Sequence, residues 1–245
     1  MSEVSALDGF DVVRIRADNP GLLTLDGTNT WVLGRDPAWV VDPGPGLPDH
    51  LDAVAGVVAG RGGAGGVVLT HDHADHAEGA AALAGRLGAE LGNAGPLQPI
   101  PLPGHADDHV VFTWGDVCFT GDAVLGEGSV FVAGDMAGYL DGLRRLRGLG
   151  LRLICPGHGP PVTDPRSKLD AYLAHRLDRE RQLLHALGAG VRGDDALLDA
   201  AWDDAPPGLR PAAALTLQAH LRKLAAENRL PADVSVPRTP SAPEV

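Results

Sequence analysis

One short segment of the chain concentrates side chains that bind metal ions. Residues 70–79 read Thr-His-Asp-His-Ala-Asp-His-Ala-Glu-Gly and place His71, His73, Asp75 and His76 within six positions. Imidazole nitrogens and carboxylate oxygens are the ligands that zinc takes where thiolates are absent. Residues two apart project the same way in an extended chain, so His71 and His73 suit one ion. The adjacent Asp75 and His76 can face a second ion, and the segment therefore predicts a loop that serves two metals.

Three further turns offer ligands of the same kind. His105 follows a Pro-Gly pair, Asp122 a Thr-Gly pair and His158 another Pro-Gly pair, each next to a short apolar run. A Gly-containing turn at a strand end lets its side chain reach over the sheet edge, where ligands bind in layered α/β proteins. A His-x-His pair or a Gly-His turn alone is more often a chance feature of the surface. Burying the whole set of titratable side chains without partners, however, would cost folding free energy. The sequence therefore predicts seven metal ligands: His71, His73, Asp75, His76, His105, Asp122 and His158.

Short apolar runs and helical patterns alternate along the first two-thirds of the chain, and they position these turns. The patterns predict strands at 10–17, 29–34, 38–42, 65–70, 109–114, 116–122 and 151–159. They predict helices at 48–59, 76–87 and 135–149, and the Gly- and Pro-rich residues 88–104 read as a loop. Such alternation is typical of a layered α/β architecture.

After Pro165 the sequence pattern changes from alternating strands and helices to helices alone. Helical patterns cover 166–187, 194–202 and 211–228, and the Pro-rich residues 236–245 are typical of a disordered tail. We therefore expect a catalytic domain at 1–165, a small helical domain at 166–235 and a tail at 236–245.

The composition limits the class of protein. With 245 residues, 44% of them hydrophobic and 21% charged, the chain is ordinary globular material. Its two cysteines exclude a disulfide scaffold and a Cys-based zinc finger. Residues 1–165 hold 9 Lys and Arg against 21 Asp and Glu, which accounts for the whole net charge of −12 and weighs against broad nucleic-acid binding. No apolar run is long enough for a membrane span, and no secretion signal opens the chain, so the cytoplasm is the expected location.

The sequence resembles the metallo-β-lactamase fold superfamily, whose HxHxDH signature stands here as His71, His73, Asp75 and His76. Blocks at 19–34, 40–46, 103–112, 121–132 and 155–162 are similar to the β-lactamase-like protein 2 subgroup, which includes an endoribonuclease. Residues 174–180 and 217–230 resemble the winged-helix appendage of that subgroup. The resemblance implies an α/β fold, an αββα sandwich with a small C-terminal helical, winged-helix-like domain. The sandwich would be shortened between the second and third motifs, because only 28 residues separate His76 from His105.

The resemblance also implies two Zn²⁺ ions per chain and a role for each ligand. His71, His73 and His105 would bind the first ion, and Asp75, His76 and His158 the second, with Asp122 bridging both. Asp42 would lie behind the ligands and orient residues 70–79, called the His-rich loop below. Asp122 stands where lactamases that act on antibiotics have Cys or Ser, which implies that this chain is not a true β-lactamase. Iron or manganese can also occupy such oxygen-rich sites.

These ligands predict a dinuclear-metal hydrolase. A hydroxide bridging the two ions would attack a carbonyl carbon or a phosphorus atom. Asp75 is the predicted catalytic residue, which orients this nucleophile and accepts its proton. The substrate stays open between a small-molecule or carrier-bound ester or thioester and single-stranded RNA, because the motif serves both chemistries.

A function of another class also stays open. The chain would then be a catalytically weak metal-binding protein that interacts with a partner through its helical tail. The sequence leaves the oligomeric state undetermined.

Overall fold

A computed structural model describes residues 2–236, which contain nine strands, seven α-helices and one 3₁₀ turn at Pro207–Leu209. The strands are β1 Glu3–Ala6, β2 Val12–Arg16, β3 Asn29–Leu33, β4 Ala38–Val41, β5 Ala64–Val68, β6 Gln98–Pro101, β7 Val110–Trp114, β8 Val117–Gly121 and β9 Leu153–Pro156. The helices are α1 Pro48–Ala59, α2 Ala74–Ala77, α3 Ala80–Leu87, α4 Met136–Arg147, α5 Pro165–Gly188, α6 Asp194–Ala201 and α7 Arg210–Ala226. The tail predicted at 236–245 lies, apart from Val236, outside the described residues.

Two sheets pack face to face, and helices cover their outer faces. One sheet has the order β1-β2-β3-β4-β5 and the other β6-β7-β8-β9. Side chains alternate between layers along each strand, so Val12 faces the core between the sheets while Val13 faces the core beneath α1 and α3. On the other side, residues such as Val111 and Ile154 pack against α4 and the start of α5. The predicted αββα sandwich is confirmed.

The C-terminal helices build a core of their own. Leu183 and Leu187 of α5 pack with Leu197 of α6 and Leu217 of α7. The first half of α5 instead packs on α4 through residues that include Leu169, so this single 24-residue helix belongs to both cores. The domain boundary at 165 stays a prediction. No helix among residues 2–236 has the length and apolar character needed to cross a bilayer.

The loop predicted over residues 88–104 contains a strand, which corrects that prediction. Gln98–Pro101 pairs antiparallel with β7 at the edge of the second sheet. Two prolines in four residues give little strand signal, but proline is tolerated on an edge strand because one side of that strand has no ladder to complete. Ile100, 6% exposed, fixes the strand by packing into the core next to α4.

The helix predicted over residues 76–87 is divided into α2 and α3. Gly44 lies against the break: its N–H donates to the carbonyl of His76, and its own carbonyl accepts from Gly79 N–H, both at 3.1 Å. A Cβ at Gly79 would lie 3.1 Å from the Gly44 carbonyl oxygen, so the absence of a side chain eases this close approach. The division leaves α2 as one turn across the end of β5 and turns His76 toward the interior.

Candidate metal centre

The seven predicted ligands meet at one edge of the sandwich. His71 follows β5, Asp122 follows β8 and His158 follows β9, while His105 lies in the turn after β6. Strands β4 and β5 run parallel, as do β8 and β9, so their carboxyl ends lie together. Backbone hydrogen bonds join the sheets at this edge, including Asn29 N–H to Gly157 O at 2.7 Å.

Three imidazoles form the first ligand group, which consists of His71, His73 and His105. His73 Nδ1 lies 3.0 Å from His71 Nε2 and 3.1 Å from His105 Nε2. One ring nitrogen carries either a proton or a lone pair, so His73 Nδ1 cannot serve both neighbours with ordinary hydrogen bonds. Nitrogens that share a tetrahedral zinc ion lie about 3.3 Å apart, and the geometry of the group fits such an ion.

The second ligand group consists of Asp75, His76 and His158. Asp75 Oδ2 lies 3.4 Å from His76 Nε2 and 3.3 Å from His158 Nε2. Asp122 lies between the two groups. Its Oδ1 is 3.5 Å from His76 Nε2 and 3.4 Å from His158 Nε2, while its Oδ2 is 3.6 Å from His105 Nε2.

Unsatisfied atoms at the centre are consistent with a bound cation. Within residues 2–236, His76 Nε2 and Asp122 Oδ1 are buried and have no hydrogen-bond partner, which costs folding free energy unless something else binds them. A Cβ at Gly157 would lie 2.5 Å from Asp122 Oδ1, so a glycine keeps this space open. The donor set, histidine nitrogens and carboxylate oxygens, is one that zinc accepts.

The ionisation of these groups follows from their burial and neighbours. Burial, with a contribution from His76, lowers the pKa of His71, and burial lowers the pKa of His105 to about 4. For His158, burial opposes the charge, but the Asp122 carboxylate outweighs it and raises the pKa to about 9. His158 and His76 hold the pKa of Asp122 well below its usual range despite burial. At neutral pH His71 and His105 are thus neutral, and their lone pairs are free for an ion.

Residues behind the ligands hold the His-rich loop in place. Asp42 follows β4; its Oδ1 accepts from Thr70 N–H at 2.7 Å and its Oδ2 from Thr70 Oγ1 at 2.8 Å. The same Oδ2 lies 3.0 Å from His76 Nδ1. A carboxylate can only accept, so the proton of His76 sits on Nδ1 and leaves Nε2 to face the centre. Asp42 occupies the place that the resemblance implied.

Two neighbours of the centre were not assigned a role by the sequence. Thr28 Oγ1 donates to Asp75 Oδ2 at 3.0 Å. His109 stacks on His71 with ring centroids 4.9 Å apart, and burial lowers its pKa to about 3. The doublet Gly-Thr before a strand and the spacing of His109 from His105 were the available signals, and both are common by chance.

Comparison with known families decides the identity of the fold. A model described as the metallo-beta-lactamase superfamily matches residues 86–158, and one described as the beta-lactamase associated winged helix domain matches residues 195–233. The chain contains a metallo-β-lactamase superfamily domain and an associated winged-helix domain. The first match contains His105, Asp122 and His158, and the second spans most of α6 and all of α7.

Relatives and a solved structure agree with this metallo-β-lactamase assignment. The chain is 28% identical to the beta-lactamase-like protein 2 homolog of Drosophila melanogaster over 89% of both chains. It is 31% identical to the atrochrysone carboxyl ACP thioesterase nsrC of Aspergillus novofumigatus over 74% of this chain and 64% of that one. A metallo-beta-lactamase family protein from Thermus thermophilus superposes with a TM-score of 0.67 at 22% identity, covering 89% of this chain and 94% of its own.

The fungal relatives are longer proteins. The chain spans 48% to 65% of the lengths of the fungal lactamase-like and thioesterase proteins that it matches. Their activities are therefore a source of hypotheses for this chain.

Proposed function

We propose that this protein is a hydrolase that binds two Zn²⁺ ions and cleaves a small-molecule or carrier-bound ester, with a thioester as the preferred substrate. The observation that carries this proposal is the position of Asp122, whose two oxygens face the two ligand groups separately. In this proposal His71, His73 and His105 would hold the first ion, and Asp75, His76 and His158 would hold the second. Asp122 would contribute to both, because its oxygens face both groups. Bound there, the ions would supply Lewis acidity and water of lowered pKa.

Asp75 is the residue proposed to handle the proton. It is the most exposed carboxylate of the centre, with 27% of its side chain accessible against 11% for Asp122. Thr28 Oγ1 donates to its Oδ2 and fixes the carboxylate plane. Its Oδ1 would accept the proton that water loses as its oxygen attacks the substrate carbonyl carbon. The acyl carbon–sulfur bond of the thioester would then break, and the sulfur would leave as a thiolate.

The charge around the centre favours a neutral acyl substrate over RNA. Asp72 lies between two ligands of the His-rich loop, and Asp107 and Asp108 follow His105; all three carboxylates are exposed. Burial and the nearby Asp72 raise the pKa of Asp108, in keeping with a local excess of negative charge. A polyanion would be repelled from such a rim, whereas a thioester is not.

Four of the five basic residues of α5 are engaged within the protein itself and do not compensate for this acidic rim. Arg176 and Arg179 are buried and bind groups of the protein itself. Lys168 donates to Gly126 O at 3.0 Å, and Arg181 pairs with Asp178 on the same helix. The similarity to an ACP thioesterase adds support for thioester chemistry.

A parallel assay tests the substrate class. Zinc-loaded protein is incubated with acyl thioesters of N-acetylcysteamine, with simple esters and with labelled single-stranded RNA, and metal content is measured on the same sample. We expect two ions per chain and release of free thiol. The Asp122→Asn variant, which keeps the side-chain shape, should lose this activity, while the matched surface variant Asp116→Asn should retain it.

Each contrary result removes a defined part of the proposal. Fewer than two ions per chain in the wild type would refute the dinuclear centre. RNA cleavage without thioester hydrolysis would refute the substrate class, provided that an Asp75→Ala, His76→Ala double variant abolishes it and so excludes contamination. Two bound ions with no hydrolysis of any substrate would favour the metal-binding interaction protein instead.

A further inference from the structure

The loop between β8 and α4 is held against the first ligand group from one side. Residues 129–134 of this loop, called the bridging loop below, return to the turn that carries His105. Ala133 N–H and Gly134 N–H both donate to the carbonyl of Gly104, at 2.9 and 2.8 Å. The bridging loop therefore has little freedom to move independently of His105.

On its other side, the bridging loop is held by helices that contain no predicted ligand. Arg176 of α5, 2% exposed, donates through Nη2 to Val130 O and, at 2.8 Å, to Ser129 Oγ. Thr216 Oγ1 of α7 accepts from Val132 N–H at 3.0 Å. Arg222 of the same helix donates to Ala133 O. The backbone on both sides of Phe131 is thus fixed by side chains of α5 and α7.

Phe131 makes the contact with the metal centre. The carbonyl of Phe131 lies 3.4 Å from His105 Nδ1, and a carbonyl can only accept a hydrogen bond. The contact therefore places the proton of His105 on Nδ1 and leaves the Nε2 lone pair directed at the first ligand group. The Phe131 ring lies 4.7 Å from the His105 ring, which fixes the orientation of the imidazole.

We propose that the C-terminal helices position the metal centre through the bridging loop, with Arg176, Thr216 and Arg222 as positioning residues. These side chains fix the carbonyl of Phe131, and that carbonyl fixes the tautomer and plane of His105. The winged-helix region then has a role inside the catalytic domain, separate from any contact with a partner. The inference rests on the metal centre proposed above.

A pair of variants on one helix tests this role. Arg176→Met removes the donor to the bridging loop. The control, Arg179→Met, removes a buried arginine of the same helix that instead binds Ala201 O and Asp204 of the C-terminal region. Zinc affinities are measured by competition with a chelating dye, and folding by urea unfolding. We expect Arg176→Met to weaken one of the two zinc sites by about 10- to 100-fold, and Arg179→Met to leave both affinities unchanged while unfolding at lower urea.

Nitrogen NMR of the His105 ring in zinc-free protein gives a readout that a purely structural role would not change. Wild type should carry the proton on Nδ1, and Arg176→Met should distribute it over both ring nitrogens. If Arg176→Met does not fold, Thr216→Val decides the question, with Thr216→Ser restoring the hydrogen bond from Val132 N–H.

A folded Arg176→Met or Thr216→Val variant with wild-type zinc affinities and the wild-type His105 tautomer would overturn the inference. A wild-type protein that binds no zinc would instead refute the proposed function, so the two failures are distinguishable.

Discussion

Residues that are not themselves predicted ligands fix the proton positions and orientations of side chains at the candidate metal centre. Asp42 places the proton of His76 on Nδ1, and Thr28 fixes one oxygen of Asp75. Gly157 leaves space beside Asp122 and His76, where a Cβ would come within 2.6 Å of both side chains. Such neighbours control the direction of ligand lone pairs, and their loss typically weakens metal binding without removing a ligand.

Thr28→Val tests the support of Asp75. Valine keeps the shape of threonine but cannot donate to Asp75 Oδ2, so the carboxylate is freer to rotate. We expect zinc affinity at one site and kcat/KM for the thioester to fall by about 10- to 100-fold. Thr28→Ser keeps the hydroxyl and should retain most of the activity. Equal values for Thr28→Val and wild type would show that the hydrogen bond has no functional role.

Gly157→Ala tests whether the space between the ligand groups is needed. The added Cβ would lie 2.5 Å from Asp122 Oδ1 and 2.6 Å from His76 Cε1. We expect the variant to fold but to bind fewer than two zinc ions per chain, as measured by elemental analysis. Gly85→Ala in α3, where a Cβ meets nothing within 4 Å, is the matched control and should bind two. Two ions in Gly157→Ala would mean that the ligands have room to move apart.

Among the elements, α5 has the widest set of roles. Its first half packs on α4, its second half builds the C-terminal core, and between them Arg176 reaches the bridging loop. Glu180, one turn after Arg176, joins α5 to the end of α7 and its following turn: its Oε2 accepts from Lys223 at 2.6 Å and its Oε1 from Arg229 at 2.7 Å. The helix therefore connects the two parts of the chain by packing and by ion pairs.

The ion pairs of Glu180 predict a dependence of stability on pH. The nearby His220, together with Lys223 and Arg229, lowers the pKa of Glu180 to about 2 from a usual value of 4.5. The folded state therefore binds this proton less readily than the unfolded chain, so the contribution is complete above pH 4.5 and is lost as the pH falls toward 2.

We expect Glu180→Gln to lower the free energy of unfolding by about 2 kcal/mol at pH 7, after allowance for solvent screening, and by progressively less at lower pH. Urea unfolding at a series of pH values measures this difference. Asp178→Asn, on the same helix, pairs only with its close neighbours Arg181 and Gln182 among the described contacts. It should change stability by less than about 0.5 kcal/mol. A Glu180→Gln difference that is constant from pH 7 to pH 3 would contradict the assignment.

In the whole molecule, the excess negative charge lies in the same part of the chain as the candidate metal centre. The net charge of −12 belongs to residues 1–165, where the ligand carboxylates and the acidic rim also lie. Two divalent cations would cancel part of this charge and satisfy the orphaned atoms of His76 and Asp122. Metal binding is therefore expected to stabilise the fold as well as to support chemistry.

Zinc should raise the stability of the folded protein. A ligand that binds only the folded state at about 100 times its Kd adds about 2.7 kcal/mol per site. Thermal unfolding of chelator-treated protein should therefore shift upward when Zn²⁺ is restored. Asp122→Asn should lose most of the shift and Asp116→Asn should keep it. Identical unfolding curves with and without zinc would contradict a structural role for the ions.

The sequence alone predicted the ligand types, their places after strand ends and a layered α/β class, and the resemblance to a known family added the αββα sandwich. This information is local: ligand chemistry is read from residue identity, and strands and helices from the period of the apolar residues. The helical pattern did not predict the break at residues 78–79. The break occurs because the N–H of Gly44, a residue distant in sequence, donates to the carbonyl of His76. The pattern also missed β6, whose prolines are acceptable only at a sheet edge.

Only the tertiary structure decided which ligand group each oxygen of Asp122 faces and which side chains hold the predicted ligands in place. Thr28 and Asp75 are 47 residues apart, and Asn29 lies 127 residues from the Pro156 carbonyl that it binds. The two oxygens of Asp122 face different ligand groups because β8 and β9 lie side by side and the His-rich loop crosses their ends. Contacts of this kind depend on the packing of whole layers, and no local period or motif in the chain encodes them.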